Sequence, residues 1–285
     1  MGESKDIYQC PVCQLELKEE EKHYLCSKNH SFDKSRKGYV NLLLVNQKGT
    51  KEPGDSKEMI LSRKEFLNKG YYEPLAKGLS VLITKLIETN KDKVINVLDA
   101  GCGEGYFTCY LKKQLVETNP TKNLNFWGID ISKPAINYAA SRDKEINFAV
   151  ASNYNLPILS GSVDYVLWTF APGDEGEFHR ILKDNGKLIM VIPGVRHLLG
   201  LKELVYDQAR QHEPKEQIPE GFKLLDSNQL NYNIYLENSE DIMNLLAMTP
   251  YYWHISSQGR ERAEQAQKLQ TDVDFLVLVY EKLPQ

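Results

Sequence analysis

Residues 93–111 read KVINVLDAGCGEGYFTCYL, a strand pattern that runs into a glycine-rich turn and then a helix pattern. The apolar, β-branched run ends at Asp99, glycines follow at Gly101, Gly103 and Gly105, and the helix pattern begins at Tyr106. In such an arrangement, backbone amides and a helix N-terminus come close to a bound ligand. We therefore expect a buried strand of an α/β fold, with a ligand site at its carboxyl end.

The next acidic strand end indicates the class of ligand. A nicotinamide-binding turn has the pattern GxGxxG, with an acid about 20 residues further on. Here the third glycine comes one position early, and the acid is Asp130 in NFWGIDIS, 29 residues after Gly101. The combination of strand, GxGxG turn, helix and acidic strand end favours a nucleoside held by its ribose hydroxyls. The alternative is that the glycines only turn the chain.

Strand and helix patterns alternate along the chain. Apolar residues recur at three- and four-residue spacing between Met59 and Leu86, which predicts two helices before the first buried strand. Further strand and helix patterns follow the glycine turn. Alternation of this kind predicts a mostly parallel sheet.

The N-terminal cysteines have the spacing of a metal site. Cys10, Cys13, Cys26 and His30 follow the pattern C-x2-C-x12-C-x3-H. Four thiolate and imidazole ligands complete a tetrahedral zinc site and leave no position for an activated water, so the predicted zinc is structural. It would supply folding free energy that about 45 residues cannot obtain from apolar burial alone. The alternatives are a redox pair, plain buried thiols, or His23 in place of His30.

The composition is ordinary for a soluble globular protein. The 285 residues are 26% charged and 41% hydrophobic, with a net charge of −4, which argues against indiscriminate nucleic-acid binding. Between Lys22 and Lys37, however, five basic residues accompany one acid and give a local balance of +4. No apolar run approaches the roughly 18 residues of a membrane span, and the N-terminus is polar. We expect a cytoplasmic protein without a membrane partner.

Two longer segments resemble a known enzyme class. INFAVASNYNLPILSGSVDYVLWTF and EFHRILKDNGKLIMVIPG, together with the glycine turn, resemble the class I methyltransferases that use S-adenosylmethionine. With the N-terminal cysteines, the ordered segments CPVC, EPGDS, FLNKGYYEPL, FAP, IPGVRHLLGLK and MTPYYW resemble the bacterial 23S ribosomal RNA guanine-N1 methyltransferases, which methylate a hairpin guanine. The resemblance covers nearly the whole chain. One departure is LKDNGK, where the family more often has a Pro-Gly-Gly turn.

The resemblance implies an architecture and partners. The fold would be a Rossmann-like class I methyltransferase sheet, mostly parallel with an antiparallel last strand, and a small N-terminal zinc-ribbon-like module. Residues 1–45 would form a zinc-binding RNA-recognition module, residues 46–58 a linker, and residues 59–285 the S-adenosylmethionine-dependent methyltransferase domain. YVNLLLV, residues 39–45, would be the last strand of the module. The partner would be a 23S ribosomal RNA hairpin, and the family's use of dimers suggests a homodimer.

The resemblance also assigns residues. Zinc would be held by Cys10, Cys13, Cys26 and His30. With the glycine turn, the resemblance predicts a methyl-donor site formed by Tyr72, Asp99, Gly101, Gly103, Glu104, Gly105, Tyr106, Asp130, Asn153 and His197. On spacing alone, Tyr72 could belong to the core and His197 could cap or pack a helix.

Methylation of guanine N1 requires a proton acceptor. The N1 proton has to leave, so a carboxylate or imidazole should lie nearby. Asp174, Glu175 and His179 follow FAP at a strand end, where open α/β sheets bind substrates, and the sequence does not choose among them. Candidates for stacking on a splayed base are Tyr71, Trp168 and Phe170, each of which could instead belong to the core.

Two other functions remain open at this stage. A small-molecule methyltransferase would share the whole donor site, and a non-enzymatic adaptor would keep the fold without the donor. Because the zinc module precedes a complete donor motif, we expect the larger domain to bind the donor even when Cys13 is replaced and zinc is lost.

Overall fold

The computed structural model describes residues 6–50, 53–214 and 217–284. Its strands are β1 (Leu17–Glu19), β2 (His23–Cys26), β3 (Ser31–Asp33), β4 (Val40–Asn41), β5 (Val94–Ala100), β6 (Asn123–Asp130), β7 (Asn147–Val150), β8 (Val163–Thr169), β9 (Leu182–Pro193), β10 (Phe222–Leu236) and β11 (Leu269–Lys282). Its helices are α1 (Lys57–Asn68), α2 (Glu73–Thr89), α3 (Tyr106–Thr118), α4 (Lys133–Arg142), α5 (Glu175–Ile181), α6 (Leu199–Val205), α7 (Ser239–Ala247) and α8 (Ser257–Gln265). Within the described ranges, no helix has the length and apolar character needed to cross a bilayer.

One large sheet organises the molecule. Its strand order is β10-β11-β9-β8-β5-β6-β7-β4. The strands from β4 to β9 pair in parallel, and β11 lies antiparallel between β9 and β10. The predicted α/β class, with a mostly parallel sheet and an antiparallel last strand, is confirmed. The chain leaves β5 toward β6 and later returns to β8 on its other side, so the glycine turn lies where the strand order reverses, the usual ligand position in open α/β sheets.

The N-terminal segment has a small sheet of its own and also joins the large one. β1, β2 and β3 form an antiparallel sheet. The stretch predicted as the last strand of this module behaves differently, because Val40 and Asn41 pair with Ala149 and Val150 of β7. The module is therefore hydrogen bonded to the edge of the large sheet.

The two faces of the large sheet are covered in different ways. Helices α1 to α4 and α6 to α8 pack on one face. The opposite face presents apolar side chains such as Leu98, Trp127 and Ile129, all fully buried. Helix α5 and the N-terminal module cover them. Side chains alternate between the two faces of a strand, so strands that are apolar on both sides need cover on both.

Tyr8 connects the module to the sheet. Its ring packs edge-on against Trp127, with ring centroids 4.8 Å apart, and against Tyr24 of the module at 5.3 Å. Backbone hydrogen bonds from Gln9 to Pro157 and from Leu159 to Ile7, both 2.8 Å, hold the same segment. The module residues from Ile7 to Leu42 and the sheet thus contribute side chains to one apolar core.

This shared core predicts that Tyr8→Ala destabilises the whole molecule. Removing a fully buried aromatic ring should lower the free energy of unfolding by about 3–5 kcal/mol. Urea unfolding followed by tryptophan fluorescence measures this, because all three tryptophans lie outside the module, at positions 127, 168 and 253.

Two variants control for this measurement. Tyr235→Ala makes the same change at a side chain that is 61% exposed and should cost much less. Tyr8→Phe keeps the ring and removes a buried hydroxyl that has no hydrogen-bond partner among the described residues, so it should not destabilise. An unchanged tryptophan transition in Tyr8→Ala would contradict the shared core.

Candidate functional site

The glycine turn after β5 requires glycine for steric reasons. Gly101, Gly103 and Gly105 have φ angles of 87°, 56° and 85°, in the left-handed region that favours glycine. A Cβ on Gly101 would lie 2.2 Å from the Cβ of Ala171, and one on Gly105 would lie 2.9 Å from the Cβ of Ala139. The turn therefore brings its backbone close to the neighbouring loop after β8.

Two carboxylates flank this turn, Asp99, which is buried, and Asp130, which is partly buried. Asp130 accepts hydrogen bonds from the backbone N–H of Gly103, at 2.9 Å, and of Ser132, at 2.8 Å, while burial raises its pKa. Asp99 accepts from the Thr108 hydroxyl at 2.5 Å, and burial raises the pKa of Asp99 to about 7. Both carboxylates therefore stabilise the turn, one from β6 and one from beneath α3.

A cavity of about 640 Å³ opens above the turn. Nine of the ten residues predicted for the methyl-donor site line it, namely Tyr72, Asp99, Gly101, Gly103, Glu104, Tyr106, Asp130, Asn153 and His197. Gly105, the tenth, is not among the lining residues; it is the N-cap of α3 and packs against Ala139. The residues predicted from separate parts of the sequence thus meet around one space.

Three oxygen atoms on residues that line this cavity are buried and lack hydrogen-bond partners among the described residues. They are Glu104 Oε1, Asn153 Oδ1 and Thr169 Oγ1. The other Glu104 oxygen pairs with Arg142, and the Asn153 amide nitrogen donates to the Pro172 carbonyl at 3.1 Å. Buried polar atoms are normally hydrogen bonded, so this end of the cavity suits a ligand rich in N–H and O–H donors. A nucleoside with an amino group and ribose hydroxyls has that chemistry.

The predicted linker forms part of the cavity wall. Gly54 and Asp55 line the cavity, and the Ser132 hydroxyl donates to the Asp55 carbonyl at 3.1 Å. A Cβ on Gly54 would lie 2.9 Å from side-chain atoms of Ile131 and Ser132. Arg63 of α1 forms an ion pair with the Asp55 carboxylate at 2.5 Å. From the sequence alone, EPGDS is expected to be only a linker between the two parts of the chain.

The other end of the cavity is formed by groups to which the sequence analysis gave no role. His212, Tyr251 and Trp253 line it together with the predicted His197. Tyr251 and Trp253 belong to MTPYYW, so the motif itself was a signal. His212 lies in an irregular segment after α6, where no local pattern marks it.

Aromatic side chains surround the cavity mouth. Of the stacking candidates Tyr71, Trp168 and Phe170, only Phe170 lines the cavity, and it is 49% exposed. Tyr71 donates to Asp241 at 2.8 Å, and the Trp168 indole donates to the Ala171 carbonyl at 2.5 Å. Tyr154 and Trp253, 61% and 64% exposed, join Phe170 among the lining residues.

The three candidate proton acceptors lie outside this cavity. Asp174 caps α5 by accepting from the Glu177 N–H at 2.9 Å, and Glu175 is exposed. His179 is buried beside Phe222, with ring centroids 5.4 Å apart. None of the three is among the lining residues. The strand-end rule therefore selected residues near the sheet edge that bears the cavity, but α5 turns these side chains toward other surroundings.

The predicted zinc ligands come together in the N-terminal module. Ligand atoms of Cys10, Cys13, Cys26 and His30 all lie within 4.8 Å of one another. The Sγ atoms of Cys13 and Cys26 are 3.6 Å apart. Two sulfur ligands of a tetrahedral zinc ion, each about 2.3 Å from the metal, would be roughly 3.7 Å apart. His23 lies in β2 outside this group. The donor set fits a structural zinc ion.

The thiol of Cys26 is prepared for metal binding. Burial opposes its ionisation, but N–H groups of His30 and Lys28 lower the pKa of Cys26 to about 6. Thiolates are the form that binds zinc. Nearby, Lys22, Lys28, Arg36 and Lys37 are exposed, whereas Lys34 pairs with Glu19. The module therefore has an open basic surface beside the metal cluster.

Comparison with known proteins agrees with both parts of the chain. A family model described as "RlmA, N-terminal" matches residues 8–51, and one described as "Methyltransferase domain" matches residues 97–186. A 23S rRNA (guanine(748)-N(1))-methyltransferase of Streptomyces fradiae is 30% identical over 250 residues, which cover 86% of this chain and 85% of the relative. A Bacillus subtilis protein named "Putative 23S rRNA (guanine-N(1)-)-methyltransferase YxjB" is 29% identical over 290 residues, covering 95% and 96%. The chain belongs to the 23S ribosomal RNA (guanine-N1)-methyltransferase family.

Proposed function

We propose that this protein transfers a methyl group from S-adenosylmethionine to N1 of a guanine in a hairpin loop of 23S ribosomal RNA. The observation that carries the proposal is one cavity whose lining includes both the glycine turn and the exposed aromatic side chains of Phe170, Tyr154 and Trp253. A donor and a nucleobase can therefore meet within one cavity. The family relationship supports the choice of guanine N1 and of ribosomal RNA.

The donor would occupy the end of the cavity beside β5 and β6. The turn from Gly101 to Gly105 gives a backbone surface without side chains, and Asp130 lies at the end of β6, where ribose hydroxyls are commonly bound. The unpartnered oxygens of Glu104 and Asn153 can accept from ammonium, amino or hydroxyl groups. S-adenosylmethionine supplies the electrophilic sulfonium methyl, while the protein aligns the acceptor nitrogen and excludes water.

The guanine would enter from the aromatic end. A loop base is partly unstacked, so it can be splayed into a pocket and stacked on an aromatic ring. Phe170, Tyr154 and Trp253 are exposed at the rim and available for this contact. The exposed basic side chains of the module would contact phosphates, which makes binding salt dependent. We propose this module as the RNA-recognition part of the protein.

Mass mapping of 23S ribosomal RNA from cells that lack this gene tests the proposal directly. One guanine that carries an N1 methyl group in the parent strain should lose it, and the purified protein should restore it with S-adenosylmethionine. An RNA methylation pattern identical to the parent would contradict the proposal. Methyl transfer to small molecules alone would favour the alternative enzyme. The homodimer and the cytoplasmic location stay predictions, and sedimentation of the protein with and without RNA tests the former.

The glycine turn predicts the effect of Gly101→Ala. The added methyl group overlaps Ala171 and occupies a left-handed φ, which should displace the turn at a cost of about 1–3 kcal/mol. Titration calorimetry should show weaker S-adenosylmethionine binding, by about tenfold for each 1.4 kcal/mol. Gly161→Ala is the matched control, because Gly161 also has a positive φ, 60°, but a Cβ there meets nothing within 4 Å. Equal donor affinity in both variants would contradict the assigned turn.

The structure predicts that loss of zinc also weakens donor binding, whereas the sequence alone predicts that donor binding survives. Cys13→Ser should lose zinc and also weaken donor binding, because the module shares a core with β5 and β6. Metal analysis, thermal unfolding and calorimetry measure the three consequences. Cys109→Ser, a thiol change in α3 outside the cluster, should retain zinc. Donor affinity at the wild-type level in zinc-free Cys13→Ser would show that the larger part folds alone.

A further inference from the structure

Two imidazoles lie at the aromatic end of the cavity, and they differ in their hydrogen bonding. His197 Nδ1 accepts from the backbone N–H of Asp274 at 3.3 Å, so the neutral ring carries its proton on Nε2. Burial lowers the pKa of His197 to about 3. His197 can donate a hydrogen bond into the cavity, but it cannot take up a proton near neutral pH.

His212 has a different hydrogen-bond partner. Its Nε2 lies 2.8 Å from the Tyr251 hydroxyl oxygen, and Nδ1 has no hydrogen-bond partner among the described residues. Burial raises the pKa of Tyr251 to about 12, so the hydroxyl keeps its proton and can still accept from Nε2–H. In that arrangement the lone pair of Nδ1 remains free to accept a proton.

The backbone fixes this imidazole in place. The His212 N–H donates to the Val195 carbonyl at 3.0 Å, and Lys202 Nζ donates to the Arg210 carbonyl at 3.0 Å. The Lys202 ammonium also lies 5.6 Å from the centroid of the Tyr251 ring. His212 and Tyr251 are thus positioned by two separate elements, the segment after α6 and the turn after α7.

His212 lies at the end of the cavity that the guanine would enter. A run of ring contacts leads from Phe170 to Phe275 at 5.0 Å, from Phe275 to His197 at 4.4 Å, and from His197 to His212 at 6.2 Å. The carboxylates that line the cavity belong to the donor end and are already engaged: Asp55 with Arg63, Asp99 with Thr108, Glu104 with Arg142, and Asp130 with two backbone amides.

We propose that His212 accepts the N1 proton of the target guanine, and that Tyr251 is a positioning residue that holds the His212 tautomer. The proposal rests on the proposed function. As the bond between N1 and the methyl carbon forms, the bond from that carbon to sulfur breaks and its electron pair stays on sulfur. The N1 proton moves to His212 Nδ1, and the resulting imidazolium later releases it to water. S-adenosylhomocysteine and N1-methylguanine are the products.

The groups around His212 support this assignment. Facing it are His197, Lys202, Tyr251 and the Asp274 carboxylate. Burial, followed by the Lys202 charge, lowers the pKa of His212, and Asp274 opposes this shift. The ring is therefore neutral at physiological pH and ready to act as a base. The rate of methyl transfer should therefore increase with pH as His212 loses its proton, with an apparent pKa below 6.5.

Single-turnover methylation of 23S ribosomal RNA from the deletion strain, with saturating S-adenosylmethionine, tests the proposal between about pH 5 and pH 9. His212→Gln should slow methyl transfer by about 100-fold or more at neutral pH, as loss of a general base does. Donor affinity should not change. The deficit should narrow at high pH, where N1 ionises without assistance, which a merely structural defect would not produce.

Two further variants complete the experiment. Tyr251→Phe removes the acceptor for Nε2–H, so the rate should fall less than in His212→Gln and the apparent pKa should move lower. His254→Gln makes the same chemical change at an exposed histidine nearby and should match wild type. Wild-type rates in His212→Gln, or a pH-independent loss together with weaker donor binding, would overturn the assignment. Failure of the wild-type protein to methylate any guanine would instead overturn the proposed function and this inference with it.

Discussion

The structure depends on one constraint: the second apolar face of the central sheet has to be covered by other parts of the chain. β5 and β6 carry apolar side chains on both sides, and the helices described above account for one side only, apart from the two turns of α5. The zinc module supplies the remaining cover through Tyr8, Leu17 and their neighbours. A small module that folds around a metal has thereby become a layer of the enzyme. The module and the sheet that carries the glycine turn at the end of β5 are consequently packed around one apolar core.

The two ends of the cavity present different chemical groups. At one end, hydrogen-bond acceptors and bare glycine backbone suit a nucleoside donor, and the carboxylates there are neutralised or hydrogen bonded. At the other end, aromatic rings surround two neutral imidazoles. His197 accepts a backbone N–H at Nδ1, so it donates from Nε2, whereas His212 contacts the Tyr251 hydroxyl and is the proposed acceptor. The protein then aligns the guanine and excludes water, and His212 is the proposed acceptor of the guanine N1 proton.

Local sequence patterns predicted much of the fold and of the candidate site. The strand, glycine turn and helix of residues 94–118, the acid at the end of β6 and the spacing of the zinc ligands are short-range features, and the structure has all of them. Long-range packing was beyond such patterns. Nothing in YVNLLLV indicates that Val40 pairs with Ala149, and nothing in EPGDS indicates that Gly54 packs on Ile131. For the proton acceptor, the strand-end rule selected α5, while His212 lies in an irregular segment fixed by contacts with Val195 and Tyr251.

Hydrogen–deuterium exchange of the full-length protein, with and without a zinc chelator, tests most directly whether the module is a layer of the enzyme. Exchange protection reports the free energy of local opening. If the module and sheet form one unit, chelation should strip protection from the amides of β5 and β6 as well as from residues 7–43. Loss of protection confined to residues 7–43, with β5 and β6 unchanged, would contradict this account and leave zinc a role in RNA recognition alone.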